Sequence, residues 1–159
     1  MFSKYMPLSR IVMIMAVAAL VMGIVFIYQG VSKANMITEQ MREEAVPASM
    51  FIGNATGVID TAAEAQKAAD VIKEHRRSIA PTYEDLLAGG RYDPTNPKHL
   101  SYTQALNMEN YLYMGVFALG FTQAVTVIGV FMILVAIALM AVWAAIRRKK
   151  ETKVKVTST

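Results

Sequence analysis

Two side chains in this sequence invite a metal reading, His75 and His99, with carboxylates nearby at Glu74, Glu84 and Asp85. Two histidines and one carboxylate make the facial triad that holds non-haem Fe(II) and leaves coordination positions open. Here the triad would need both histidines to converge on one of those acids, and no tight ligand spacing prepares that. Solvated surface histidines are expected instead. Cysteine is absent, which excludes disulfides, thiolate zinc and iron–sulfur sites, thioether-linked haem and a cysteine nucleophile. The 12 methionines could supply soft thioether ligands to copper, but most lie in apolar runs or at helical spacing. Such methionines face lipid or fill gaps. No histidine is placed to activate a serine, and no glycine-rich phosphate loop occurs. The residues predict no catalytic group, no metal site and no cofactor, hence a protein that is not an enzyme.

The elements around these side chains are more informative. The chain has 159 residues, 55% of them hydrophobic, with a mean hydropathy of +0.36. From Asn110 to Ile146 it runs for 37 residues without a charge. A bilayer core of about 30 Å needs only about 20 helical residues. The run is too long for one crossing and too short for two with a turn. Ile11 to Ser32, the other uncharged stretch, has the length of one crossing. The pattern predicts two membrane helices, at 11–30 and 126–146. The second carries an apolar extension at 111–125 that something other than lipid must cover. Neither span holds an acid or base; Gln123, Thr122 and Thr126 are the polar groups deep in the long run. Proton and ion pumps generally keep an ionisable group at membrane depth.

Charge fixes the expected topology. The net charge is +4, but unevenly spread. Residues 1–10 carry Lys4 and Arg10. The 147–159 tail carries Arg147, Arg148, Lys149, Lys150, Lys153 and Lys155 against Glu151. Basic residues beside span ends stay cytoplasmic, so both termini are placed inside and residues 31–110 outside. Arg147, Arg148, Lys149 and Lys150 are suited to anionic lipid headgroups, at about 1 kcal/mol each. They abut a span and lack interleaved aromatics, so nucleic acid is not an expected partner. The apolar stretch from Ile11 to Tyr28 exceeds the 7–15 residues of a signal-peptide core, and an uncleaved anchor is expected.

The first helix should continue past the membrane. Val31, Ala34, Thr38, Met41 and Ala45 recur at spacings of three and four, an amphipathic face, and Pro47 ends it. Met50–Ile52 and Val58–Ile59 flank a Gly-Asn-Ala-Thr-Gly turn and suggest a short hairpin over 50–59. Asn54-Ala-Thr56 spells a glycosylation sequon, read here as an ordinary turn. Thr61-Ala-Ala-Glu64 is a capping box opening a helix over 61–77. Pro81-Thr-Tyr-Glu-Asp85 opens a shorter one that Gly89-Gly90 ends, and a turn-rich linker follows. Ser101-Tyr-Thr-Gln104 is a third capping box, placed to begin the long final helix.

Asn35-Met-Ile-Thr-Glu-Gln-Met-Arg-Glu-Glu44, Asp60-Thr-Ala-Ala-Glu-Ala-Gln-Lys-Ala-Ala-Asp-Val-Ile-Lys-Glu-His75, Pro81-Thr-Tyr-Glu-Asp85 and Tyr92-Asp-Pro94 together cover about half the chain. In these segments it resembles a group of small two-span bacterial membrane proteins, common in actinobacteria and sometimes labelled as subunits of aromatic-ring-opening dioxygenases. The resemblance implies a bacterial plasma membrane and a shared shape. It implies no reaction, because the ligands such an oxygenase needs are not assembled in the matching residues.

The expected architecture is an all-α membrane protein. It is a two-transmembrane-helix antiparallel hairpin with extended helices and a small, mostly helical extracytoplasmic cap. Ala118, Thr122 and Thr126 form a small-residue stripe, with Ala19 and Gly23 as its counterpart on the first span, for close helix–helix packing. Tyr111, Met114, Phe117 and Phe121 are the candidates to face a partner, either another integral membrane protein or a second copy. A non-catalytic accessory or scaffolding subunit of a larger membrane complex is the preferred function. A small homo-oligomeric channel is the alternative, and a metal-dependent enzyme subunit built on the two histidines is the third.

Overall fold

The computed structural model describes residues 8–157, with side chains for residues 8–148. Its elements are α1 (Leu8–Glu43), a 3₁₀ turn at Ala48–Met50, α2 (Ala62–Ile79), α3 (Tyr83–Leu87) and α4 (Pro97–Thr157). No strand occurs among the described residues. Two helices, α1 and α4, are long and apolar enough to cross a membrane. The chain divides into two compact units, Met1–Ser32 with Thr122–Thr159, and Lys33–Phe121.

The first unit pairs the start of α1 with the later part of α4. Among the described residues its buried positions recur every seven residues: Ala16, Gly23 and Gly30 on α1, and Thr122, Gly129 and Ala136 on α4. A seven-residue recurrence keeps one seam facing the partner when two helices wrap around each other. All six residues are small, so the backbones approach closely. A Cβ added at Gly23 would lie 2.8 Å from the Gly129 carbonyl oxygen and 2.8 Å from the Ile133 side chain. One added at Gly30 would collide with the Thr126 hydroxyl and lie 2.9 Å from the Thr122 carbonyl oxygen. Numbers rise along one helix as they fall along the other.

The second unit is built on the later part of α1, the start of α4, and α2. Its core joins Met41, Ala48, Ile59, Ala65, Ala68, Ala69, Ile72 and Leu112, with Ile37, Tyr113, Val116 and Leu119 packed around it. The narrow alanine face of α2 substitutes for bulk: three alanines with no exposed surface let its backbone lie close to its neighbours. Ile59 and Leu112 are buried almost completely, each contributing roughly 1.5–3 kcal/mol. A smaller cluster of Ala80, Leu86 and Tyr102 seats α3.

Local sequence explains most boundaries. Thr61 caps α2 by accepting from the Glu64 amide at 3.2 Å. The Glu64 carboxylate reaches back to the Thr61 hydroxyl at 2.8 Å and, more weakly, to the Asp60 amide at 3.4 Å. Thr82 and Asp85 complete a reciprocal capping box on α3. The helix ends at Ala88 in the left-handed conformation, followed by Gly89 at φ +79.

Four boundaries and faces differ from the sequence reading. The long final helix begins at Pro97, not at Ser101. Asn96 accepts from the Lys98 amide at 2.9 Å through its side chain, and proline at the first helical position outcompetes the later capping box. Residues 50–59 form no hairpin. A single antiparallel bridge joins Pro47 to Val58, and the chain between starts with a 3₁₀ turn. Pro47 has no N–H with which to extend a ladder. The first helix stops at Glu43, ahead of Ala45 at φ 51. Its inward face runs through Ala34, Ile37, Thr38 and Met41, while Val31 and Ala45 are exposed.

Candidate functional site

Within the second unit, α2 and α4 are joined by a buried polar clamp that sequence reading missed. Arg76 Nε donates to Glu109 Oε2 at 2.6 Å, and Nη2 donates to Glu109 Oε1 at 3.4 Å. Nη1 donates to the Tyr102 hydroxyl at 2.6 Å, and the guanidinium also lies 5.0 Å from the Tyr102 ring centroid. The hydrogen bond to Glu109 holds the Arg76 guanidinium above its ordinary pKa. The signal available in sequence was Glu109 itself, the last charge before the uncharged run. Three of the five Arg76 N–H donors are spent on this cluster. Its work is to hold α2 on α4.

His99 is buried, not solvated as expected. The Asp93 backbone N–H can only donate, so Nδ1 accepts from it at 3.0 Å. The proton therefore sits on Nε2, which donates to the Leu86 carbonyl at 3.2 Å. Tyr92 stacks on the ring with centroids 5.6 Å apart. Both nitrogens are engaged, and neither has an electron pair left for a metal. His75 is exposed on α2. Among the described residues no group of three or more His, Asp or Glu side chains could hold a metal ion.

An exposed apolar face lies elsewhere on the same unit. Tyr111, Met114, Phe117 and Phe121 of α4 are 42%, 70%, 75% and 62% exposed. The rings of Phe117 and Phe121 stack at 6.4 Å between centroids. The neighbouring α4 positions Leu112, Val116 and Leu119 are turned into the unit and packed on its core. The unit therefore covers one face of this segment and leaves the other open. Between that open face and α1 lies a cleft of about 170 Å³. Ile37, Gln40 and Met41 form one wall and Tyr111, Met114, Gly115 and Ala118 the other. The end of α1 bears Glu39, Arg42 and Glu43, and Glu44 follows it directly. Arg42 is engaged by Asp60 at 2.7 Å, with Glu39 at 3.8 Å. Burial and the nearby Glu44 carboxylate raise the Tyr111 phenol above its ordinary pKa.

The predicted packing stripes meet other partners than those expected. Gly23 faces Gly129 and Ile133, and Thr122 and Thr126 face Gly30. Thr126 donates its hydroxyl to the Thr122 carbonyl at 2.9 Å, satisfying it within the helix. Ala19 is half-buried in the first unit, and Ala118 lines the cleft in the second. The seam follows a spacing of seven, which an i, i+4 stripe on one helix does not reveal. Of the basic tail, Arg147 and Arg148 are exposed, and the Arg147 guanidinium sits 5.0 Å from the Trp143 ring centroid. The side chains of Lys149 and Lys150 lie outside the described residues.

The fold and the site define a helical protein with two helices able to cross a membrane and an uncovered apolar face in its second unit. No protein-family model, curated protein or solved structure matches the chain.

Proposed function

We propose that the protein is a two-span bacterial plasma-membrane protein and a non-catalytic accessory or scaffolding subunit of a larger membrane complex. In this reading α1 and α4 form an antiparallel hairpin with both termini cytoplasmic, and the second unit is its extracytoplasmic cap. The opposite order of the Gly23 and Gly30 contacts along α4 supports the hairpin, and the basic flanks support its orientation. Tyr111, Met114, Phe117 and Phe121 are the partner-contact residues.

The observation that carries the reading is the exposure of those four side chains on a helix whose other face is packed. Together they expose on the order of 500 Å² of largely apolar surface. Isolated soluble surfaces rarely carry contiguous apolar patches beyond a few hundred Å² unless something binds there. Mild-detergent extraction at native stoichiometry, followed by native mass spectrometry, tests it. A defined heteromeric assembly is the expected result. Recovery of a single species of one copy, or of a ring of identical copies, would sink the proposal, and the ring would favour a channel.

A further inference from the structure

Resting on that reading, we infer that the cleft between α1 and α4 receives an apolar helix of a different membrane protein, one bearing lysine or arginine near the end that meets Glu43 and Glu44. The apolar part follows from the walls. Met41 and Met114 offer unbranched, flexible side chains that adapt to a ridge, and Ile37 adds a stiffer apolar wall. Gly115 makes room for Met41, whose sulfur would lie 3.4 Å from a Cβ there, and the small Ala118 keeps the α4 wall low so that another helix can come close. The charge follows from the rim. Glu43 and Glu44 are exposed, and neither forms an ion pair among the described residues. The one basic side chain on that turn, Arg42, is taken by Asp60. A surplus of negative charge therefore stands at the edge of an apolar slot.

Two other occupants fit this rim badly. Lipid acyl chains would bring hydrocarbon against Glu44, which is close enough to act on the Tyr111 phenol in the cleft wall, and against its exposed neighbour Glu43; charges so placed are costly to desolvate. A second copy would share the same membrane orientation, so a two-fold pair through this face would set like carboxylates at the same height. Like-charge juxtaposition costs affinity and selects against such a partner. A basic-ended helix neutralises the rim and fills the slot.

The test uses the full-length protein in its native membranes. Met114 is replaced by the photocrosslinking residue benzoylphenylalanine, with Lys67 on the exposed side of α2 as the control position. Crosslinked peptides are sequenced by mass spectrometry. The expected adduct from position 114, and not from 67, is an apolar segment of another polypeptide with Lys or Arg within a turn of its end. Glu43→Lys with Glu44→Lys should lower its yield about fivefold or more, with helical content unchanged by circular dichroism. Adducts with a second copy, with lipid alone, or with a segment lacking basic residues would overturn the inference, as would a yield indifferent to charge reversal. Native extraction of the unsubstituted protein separates the two failures. A heteromeric complex whose contacts avoid Met114 removes this inference and leaves the accessory-subunit reading intact. A lone species removes both.

Discussion

At the scale of single residues, the second unit depends on polar groups that are valuable only while complete. Arg76 and Glu109 are both nearly buried, and breaking such a pair by removing one member leaves an uncompensated charge at a cost of about 3–5 kcal/mol. Arg76→Ala should destabilise the unit by that much in denaturant titrations in detergent followed by near-ultraviolet circular dichroism. Replacing the whole cluster by Arg76→Met, Glu109→Leu and Tyr102→Phe should recover most of the loss, because no polar group is then stranded. If the triple variant is no better than Arg76→Ala, the clamp supplies attraction beyond its own desolvation. Tyr113 gives a second, spectroscopic prediction. Its hydroxyl donates to Asp70 at 2.7 Å, which pushes the phenol up to about 12 from 10.0, burial adding to it. The same bond, with Gln66, lowers the Asp70 carboxyl. For Tyr113 the raised value means a stabilising contribution that is complete below pH 10 and lost as pH rises toward 12. For Asp70 the depressed value means a contribution present above the ordinary carboxylate range and lost on acidification through its lowered pKa. Absorbance at the phenolate band should show Tyr113 ionising after Tyr111, whose phenol is raised as well. Asp70→Asn should return Tyr113 toward the ordinary value.

At the scale of elements, what was legible depended on whether a signal was local. The capping residues Thr61 and Thr82 reveal their helices because side chain and backbone partner lie three residues apart. The alanine face of α2 follows from its own period. The register between α1 and α4 was not legible, because either helix offers several small residues and only packing selects the seven-residue seam. The Arg76–Glu109 pair was hidden for the same reason: it closes between distant segments. The hairpin expected at 50–59 failed because Pro47 lacks the N–H that would extend the ladder past its single bridge to Val58, and Ala48–Met50 turns into a 3₁₀ helix. The seam makes a prediction whose sign opposes propensity. Gly to Ala in an exposed helix interior stabilises by about 1 kcal/mol. At Gly23 and Gly129 the new methyl would lie 2.8 Å from an opposing backbone carbonyl, and overpacking costs about 1–3 kcal/mol. Each substitution should therefore lower resistance to sodium dodecyl sulfate in mixed-micelle unfolding, whereas Gly120→Ala, which meets nothing within 4 Å, should not.

At the scale of the whole molecule, the proposed orientation rests on charge rather than on contacts. Residues 33–110 carry eight Lys or Arg against eleven Asp or Glu, while the tail after Ile146 carries six basic residues against Glu151. Basic residues near span ends resist translocation, and acidic residues contribute little, so the excess at the two ends, not the acidity between them, decides the outcome. An inverted hairpin would carry Arg147, Arg148, Lys149 and Lys150 across the membrane. A third crossing in the uncharged run is opposed by α4, which continues unbroken from Pro97 to Thr157. The absence of cysteine makes the orientation directly measurable. A single cysteine at Asn54, exposed beside the 3₁₀ turn, should react with a membrane-impermeant maleimide on intact cells. One at Ser158 should react only after permeabilisation. Labelling at 158 in intact cells would reverse the hairpin. It would also place the apolar face of Tyr111, Met114, Phe117 and Phe121 in the cytoplasm, so any docking partner would have to approach from that side.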